Sequence, residues 1–232
     1  PANDPDKTPS FINTETHWWD GSQLYGSDLV TQQKVRSFEQ GKLKLGGNGL
    51  LPVDPQTGID ITGVSGNWWV GLSMLHTLFT LEHNAICDRL LKDFPAWTDE
   101  ELFLKARLIN AAILAKIHTV EWTCGILAHS TVQAGLRNNW TRARTTEQEH
   151  HAAPYSMTEE FVAVYRMHPL MPDEFTFRSL QSGQVLQARK LPQVADHHAR
   201  ELMEQIPLAD LFYSFGVSHP GAITLHNYPH FL

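Results

Sequence analysis

Tyr165 and His168 lie three residues apart in a segment whose pattern predicts a helix from Met157 to His168. Three residues of α-helix correspond to about 300° of rotation, so both side chains should project from one face. Pro169 should end this helix and leave the imidazole accessible. An accessible imidazole can act as an axial ligand to iron, and a phenol beside it can address the same bound group. From this pattern alone, a structural histidine and a core tyrosine remain the more common interpretation.

Two long helices are predicted in the centre of the chain. Apolar residues recur at helical spacing from Trp68 to Leu91, and Pro95 follows the end of that run. A capping box that begins at Thr98 opens a second helix, which continues to about Leu127. Because the sequence shows no parallel alternation of strands and helices, the predicted class is mainly α, with long central helices and long loops. Shorter helices are predicted at 28–39 and 194–205, a long loop at 46–62 and an exposed insertion at 137–156.

Composition and charge disfavour some partners. Lys and Arg number 18 against 25 Asp and Glu, and the formal net charge of -7 argues against a nucleic acid ligand. No apolar run approaches the roughly 20 residues that span a bilayer, and no signal segment opens the chain. We therefore expect a protein that is soluble or peripheral to a membrane, with a cytoplasmic location favoured. Cys87 and Cys124 lie in apolar helical patterns and are expected to be buried thiols.

The segment from Tyr165 to Asp173 reads Tyr-x-x-His-Pro-Leu-Met-Pro-Asp. It closely resembles the proximal helix of cyclooxygenases and fatty acid alpha-dioxygenases, which are members of the animal haem peroxidase superfamily. The resemblance implies that His168 binds the iron of haem b. It also implies that Tyr165 is oxidised to a radical that abstracts hydrogen from a bound fatty acid. Haem carries the redox chemistry in such an enzyme, and the protein positions its reactants.

Further segments carry the same resemblance over nearly the whole chain. His76 to Asp88 resembles a Glu-His-Asn helix in which His83 and Asn84 tie helices together by hydrogen bonds, and Leu211 to Gly221 resembles alpha-dioxygenases. Mammalian-type peroxidases have an Arg and an esterified Glu before that helix. This chain has Val64-Ser-Gly-Asn-Trp-Trp69 there instead. The departure implies a non-covalently bound haem and argues against a halide-oxidising peroxidase.

The stretch from Thr14 to Ser27 resembles the calcium loop of the same superfamily. In an extended loop, alternate residues face one side and can offer hydroxyl, carbonyl and carboxylate oxygens, which suit Ca²⁺. The alternative is an alternating strand whose tryptophans fill a core. One carboxylate is too few for tight binding, and the superfamily supplies another Asp from a part that precedes this chain. The expected calcium ligands are Thr16, Trp18, Asp20 and Ser22.

His118 and Thr123 lie in the segment Ala115 to Thr123, which resembles the part of alpha-dioxygenases that holds the fatty acid carboxylate. The resemblance implies that both residues bind that carboxylate, together with an Arg from beyond the end of this chain. An imidazole and a hydroxyl are reasonable carboxylate partners. Five positions of a regular helix differ by about 140°, so convergence requires a distorted helix or a ligand between helices. The alternative is a satisfied core histidine and a threonine bonded to its own helix.

These observations predict one partial catalytic domain over residues 1–232, without the distal-histidine part and the C-terminal part of the superfamily fold. The expected enzyme is a haem-dependent oxidoreductase, a fatty acid alpha-dioxygenase that uses hydroperoxide and inserts O₂ next to the carboxylate. Two alternatives stay open. One is a general haem peroxidase that oxidises phenols with hydrogen peroxide, and the other is an inactive fragment that binds haem weakly or not at all.

Overall fold

The computed structural model describes residues 16, 18–142, 160, 165, 170–221 and 228–230 of the 232-residue chain. Within these residues helices predominate, and two short strands form one antiparallel sheet, so the predicted mainly α class is confirmed. A π-helix (Ile117–Trp122) lies between the fourth and fifth α-helices, and a 3₁₀ turn (Leu191–Gln193) precedes the seventh. In chain order the α-helices are α1 (Ser22–Tyr25), α2 (Leu29–Val35), α3 (Val70–Asp93), α4 (Asp99–Lys116), α5 (Thr123–Ile126), α6 (Ser130–Arg142), α7 (His197–Gln205) and α8 (Leu208–Val217).

The two predicted central helices are α3 and α4, which pack against each other. α4 begins at the predicted capping box. The Thr98 hydroxyl accepts a hydrogen bond from the Glu101 N–H (3.3 Å), and the Glu101 carboxylate accepts one from the Thr98 N–H (2.8 Å). These reciprocal bonds satisfy N–H groups that the start of a helix otherwise leaves unpaired. The local sequence therefore determines where α4 begins.

α2 ends earlier than predicted, at Val35. Arg36 leaves the helix and forms an antiparallel bridge with Leu43. Its guanidinium donates to the carboxylates of Asp99 (2.6 Å) and Glu100 (2.5 Å) in the first turn of α4. The end of α2 thus depends on ion pairs between residues more than 60 positions apart, which local spacing does not reveal.

A hairpin of two strands, β1 (Glu174–Arg178) and β2 (Val185–Lys190), was not predicted from the sequence. Its register pairs Phe175 with Arg189, and it has an irregularity near the end of β1. Phe175 and Phe177 project from the same face of β1 and are buried against α8. The alternation of polar and aromatic residues in β1 is a strand signal, but it extends over only five residues.

The larger described core lies between the hairpin, α3, α7 and α8. Trp68, Val194 and Leu211 are almost completely buried there. Burial of a large apolar side chain contributes roughly 1.5–3 kcal/mol relative to exposure. The backbone joins this region because the Val70 N–H donates to the Val194 carbonyl (2.8 Å). Val194 closes the preceding 3₁₀ turn through its N–H, which donates to the Leu191 carbonyl (3.0 Å), so α7 begins at His197 and not at 194 as predicted.

A buried hydrogen-bond network joins α1, α3 and α4. His83 Nε2 donates to the Gly41 carbonyl (2.9 Å), so its Nδ1 accepts from the Tyr25 hydroxyl (2.9 Å). Asn110 Nδ2 donates to the Tyr25 oxygen (2.9 Å). Burial lowers the pKa of His83 to about 4, which agrees with the neutral ring that this pattern requires. His83 thus joins helices, as expected, whereas Asn84 joins α3 to the loop after α2 through two hydrogen bonds with the backbone of Leu43.

Cys87 and Cys124 are free and buried, as predicted. Burial raises the pKa of the Cys87 thiol to about 12, so this group remains protonated at neutral pH. Among the helices that the structure describes, none combines the length and the apolar character that crossing a membrane requires.

Candidate functional site

Tyr165 belongs to the described part of the chain, whereas His168 lies outside it. Glu160 is helical but the backbone at Tyr165 is not, so the predicted helix to His168 is wrong at Tyr165. Pro169 gives a physical reason, because in a helix a proline ring clashes with the carbonyl of the residue four positions earlier. The Tyr165 side chain is 46% exposed. The position of its phenol relative to the imidazole of His168 stays a prediction.

An apolar hollow of about 560 Å³ begins two residues after His168 in the chain. Its aromatic wall is formed by Trp69, whose ring centroid lies 5.6 Å from that of Phe175 and 5.9 Å from that of Phe215. This volume falls in the usual range for small-molecule sites, and such walls fit the apolar faces of a haem or an acyl chain. The other lining residues are Leu170, Met171, Pro172, Ser218, His219 and Pro220.

The candidate carboxylate-binding residues lie at the π-helix that follows α4. The Thr123 N–H donates to the carbonyl of His118, five residues earlier. Residues five positions apart in a π-helix are about one turn apart, whereas in a regular α-helix they would point in different directions. The helical distortion that the expected convergence of His118 and Thr123 requires is therefore present. π-Helical segments are rare and are often found at functional sites.

Two tryptophans contact the imidazole of His118. The Trp122 ring stacks on it, with centroids 5.1 Å apart and planes 19° apart, and the Trp19 ring lies 5.0 Å away. Such aromatic contacts restrict rotation of the imidazole. His118 is half-buried, and within the described part of the chain no hydrogen bond is formed by its ring nitrogens. The ring is therefore held in place and can still donate to a ligand, unlike the satisfied core histidine of the alternative interpretation.

The hydroxyl of Thr123 is in a different situation. It donates to the carbonyl of His118 at 2.6 Å, which is the pattern of a threonine bonded to its own helix. A hydroxyl carries one hydrogen, so Thr123 cannot donate to a carboxylate while this bond persists. Ligand binding by this group requires a rotation that breaks a hydrogen bond of about 1 kcal/mol.

The expected calcium ligands lie in the segment that leads into α1, where two side chains accept hydrogen bonds from N–H groups two residues later. Thr16 Oγ1 accepts from the Trp18 N–H (3.1 Å), and Asp20 Oδ1 accepts from the Ser22 N–H (3.0 Å). Arg107, which the sequence analysis did not select, donates to the Asp20 carbonyl (3.0 Å) and lies 3.5 Å from its carboxylate. This guanidinium competes with a cation for the one carboxylate of the set. Its partner lies 87 residues earlier in the chain, so spacing gives no sign of the contact.

The structure brings the expected calcium loop and the expected carboxylate site together. Trp19 stands between Trp18 and Asp20 in sequence, and its ring contacts His118. Trp19 and Trp122 were both missed as functional candidates. Their side chains are 54% and 39% exposed, and large exposed aromatic residues beside polar groups are a signal of a ligand site.

Comparisons with known proteins concern the chain as a whole. The family model of animal haem peroxidase matches residues 1–232. Alpha-dioxygenase 2 of Arabidopsis thaliana is 38% identical over 260 residues, which cover 100% of this chain and 41% of that protein. Alpha-dioxygenase PIOX of Nicotiana tabacum is 37% identical, over 94% of this chain and 38% of its own length. The chain thus spans about two fifths of the length of these curated relatives.

Solved structures give the same result. Oryza sativa fatty acid alpha-dioxygenase matches with a TM-score of 0.85 and 32% identity, over 97% of this chain and 42% of that one. A structure of the rice enzyme with palmitic acid has a TM-score of 0.84 at 32% identity, over 91% of this chain and 39% of that one. The resemblance inferred from the segment around Tyr165 is thereby confirmed, and the chain belongs to the animal haem peroxidase family.

Proposed function

We propose that this chain is part of a haem-dependent fatty acid alpha-dioxygenase, an oxidoreductase that inserts O₂ next to the carboxylate of its substrate. The observation that carries the proposal is the similarity to alpha-dioxygenases along nearly the whole chain, including the Tyr-x-x-His segment at Tyr165. Because the similar rice enzyme has been solved with palmitic acid, we propose a long-chain fatty acid as the substrate. The rest of the protein would supply the other parts of the active site.

His168 is the proposed ligand to haem iron. When bound, haem would supply the one-electron oxidation of Tyr165, and a hydroperoxide would be the oxidant that is consumed. The segment from Val64 to Trp69 has neither an acidic side chain for an ester bond nor an arginine. Trp68 in this segment is buried and its indole N–H donates to the Asp60 carboxylate (3.3 Å), so its side chain is part of the core. A non-covalently bound haem b is therefore the proposed form.

In the proposed reaction, the phenol of Tyr165 takes up one hydrogen atom and later gives one back. Its oxidised form, which lacks the hydroxyl hydrogen, takes one hydrogen atom from the carbon next to the substrate carboxylate. O₂ adds to the resulting carbon radical and gives a peroxyl radical. The Tyr165 hydroxyl then returns a hydrogen atom, which yields the 2-hydroperoxy acid and regenerates the oxidised phenol. The apolar hollow that begins at Leu170 offers suitable surroundings for an acyl chain.

We assign the substrate carboxylate to His118 first and to Thr123 second. The imidazole is held by two tryptophans and has no competing partner in the described residues, so it can donate without rearrangement. Thr123 contributes only after its hydroxyl leaves the His118 carbonyl. An N–H donated to a carboxylate is a charge-assisted hydrogen bond, which is stronger than a neutral one.

Calcium is a proposed second cofactor, bound by Thr16, Trp18, Asp20 and Ser22. The support is the set of oxygen donors and the two hydrogen bonds that order them. Asp20 is the one carboxylate of this set, and Arg107 lies beside it. Tight binding therefore requires a further anionic ligand from another part of the protein. The expected cytoplasmic location and the extent of the domain stay predictions.

The proposal is tested with Tyr165→Phe in the complete protein. The variant should consume no O₂ with palmitate, because a phenyl ring has no hydroxyl hydrogen to lose, while its haem absorption band remains. His168→Ala is the matched control and should lose that band. Oxygen uptake by Tyr165→Phe at the parental rate would refute the proposed role of the phenol.

The alternative of a general peroxidase predicts a different substrate profile. It would oxidise small phenols with hydrogen peroxide, and fatty acids would cause no O₂ uptake. An inactive protein would show neither reaction.

A further inference from the structure

Three potential metal ligands converge on the solvent-facing side of α7. One ligand atom of each of His197, His198 and Glu201 lies within 4.8 Å of the other two. The rings of the histidines have centroids 4.0 Å apart, and His198 Nδ1 lies 3.0 Å from Glu201 Oε2. Measured around the axis of an α-helix from His197, the residue four positions later lies at about 40° and the next residue at about 100°. Glu201 therefore projects between the two imidazoles.

These separations suit one ion. Two ligand atoms that each lie about 2.1 Å from the same ion are separated by about 3.0–3.4 Å at angles between 90° and tetrahedral. The nitrogen and oxygen atoms of His198 and Glu201 already have this separation. The ligand nitrogen of His197 lies within 4.8 Å of the other two ligand atoms, and because this residue is exposed its side chain can rotate towards them.

The charges around the cluster also suit a cation. Arg200 is the nearest basic residue in the helix, but its guanidinium donates to Asp60 (3.1 Å) and Glu204 (2.7 Å). These contacts compensate its positive charge.

The three ligands lie on α7, a helix that packs against the larger core. Ala199, Leu202 and Met203 on the opposite face of α7 are buried in the larger core. A side chain at Gly58 would place a Cβ 3.0 Å from that of His197, which shows how closely this loop approaches the cluster. A hollow of about 740 Å³ between this loop and α7 includes His197 and Glu201 in its wall. An ion in the cluster would thus have room for water or a small anion as a further ligand.

We propose that His197, His198 and Glu201 form a binding site for a divalent transition-metal ion such as Zn²⁺. Two imidazoles and one carboxylate are donors that favour Zn²⁺ over Mg²⁺, which prefers oxygen atoms and keeps its waters. The site goes beyond the proposed haem function and requires no bound haem.

Zn²⁺ titration of the complete protein, followed by calorimetry and equilibrium dialysis, tests this site. The double variant His197→Ala/His198→Ala should bind one Zn²⁺ per chain fewer than the parent, and Glu201→Gln should bind that ion at least tenfold more weakly. His129→Ala, which removes an exposed histidine outside the cluster, should keep the parental stoichiometry.

Circular dichroism should show that the helices of each variant remain folded, because none of these side chains is part of the buried core. An equal Zn²⁺ stoichiometry and affinity in the parent and the double variant would overturn the proposal. Displacement of this Zn²⁺ by Mg²⁺ at similar concentration would overturn the assignment of the ion.

Discussion

The imidazole of His118 and the hydroxyl of Thr123 differ in their readiness to bind a carboxylate. The imidazole is fixed by the rings of Trp19 and Trp122, and its N–H is available within the described residues. The Thr123 hydroxyl is already used by a carbonyl at 2.6 Å. Preorganised donors bind more strongly than donors that must first break a bond. His118 should therefore contribute more to substrate affinity than Thr123.

The first prediction at this scale concerns His118→Phe, which keeps an aromatic ring between the tryptophans and removes the N–H donor. A hydrogen bond to a charged group contributes about 1.5–3 kcal/mol, so the KM for fatty acid should rise about ten- to hundredfold. The kcat should change little if the interaction is equally strong in the ground state and the transition state. Oxygen uptake measured against fatty acid concentration gives both constants. His129→Phe serves as control, and a parental KM in His118→Phe would contradict the assignment.

At the scale of elements, the loop between α2 and α3 is held against α4 by Gly41. Its N–H donates to Asp99 (2.6 Å), and its carbonyl accepts from His83 (2.9 Å). Its φ of +74° is a conformation that residues with a side chain rarely adopt, and a Cβ here would lie 2.5 Å from the Phe103 nitrogen. Only glycine allows this approach of loop and helix.

Gly41→Ala should lower the free energy of unfolding by about 2–4 kcal/mol, since backbone strain and a steric clash act together. Urea denaturation followed by circular dichroism measures the change. Gly47→Ala is the matched control, because no atom lies within 4 Å of the position of its Cβ. Equal loss of stability in both variants would show that the contact at Gly41 has no special role.

Local signals determined how much of the fold was predictable. α3 and α4 were predicted because periodic apolar residues and the Thr98 cap act within a few residues. The π-helix was not predicted, since no residue type marks a change from i+4 to i+5 hydrogen bonding. The candidate site was also only partly predictable. Similarity to a known family indicated His118. The contact between His118 and Trp19 could not be predicted, because it joins residues about 100 positions apart and depends on tertiary packing.

At the scale of the whole molecule, two buried histidines make stability depend on pH. Burial lowers the pKa of both His76 and His83 to about 4, whereas an unfolded histidine has a pKa of about 6.5. His76 Nδ1 is also hydrogen-bonded to Thr62 (2.8 Å). Below about pH 6.5 the unfolded chain therefore binds protons that the folded chain does not bind. The stability associated with the neutral rings is present above that pH and decreases as the pH falls towards 4.

Lowering the pH from about 7.5 to about 5 should reduce the free energy of unfolding by about 2 kcal/mol for each of the two histidines. Urea denaturation at several pH values measures how the free energy of unfolding changes with pH. His76→Asn retains a polar group that can hydrogen-bond with Thr62, and it should remove about half of the pH dependence. A pH dependence that is the same in this variant and the parent would contradict the prediction. Exposed carboxylates with lowered pKa, such as Asp28 and Asp173, act only at lower pH.

The contact between Trp19 and His118 has a thermodynamic consequence. Because Trp19 directly precedes Asp20, an ion that reorders this loop also changes the surroundings of the imidazole. Two ligands that act on one shared element have coupled binding free energies, and this coupling is reciprocal. For the proposed calcium and fatty acid sites, any factor by which calcium strengthens fatty acid binding would be the factor by which fatty acid strengthens calcium binding. Cytosolic and calcium-rich surroundings would then give the same protein different affinities for the same lipid.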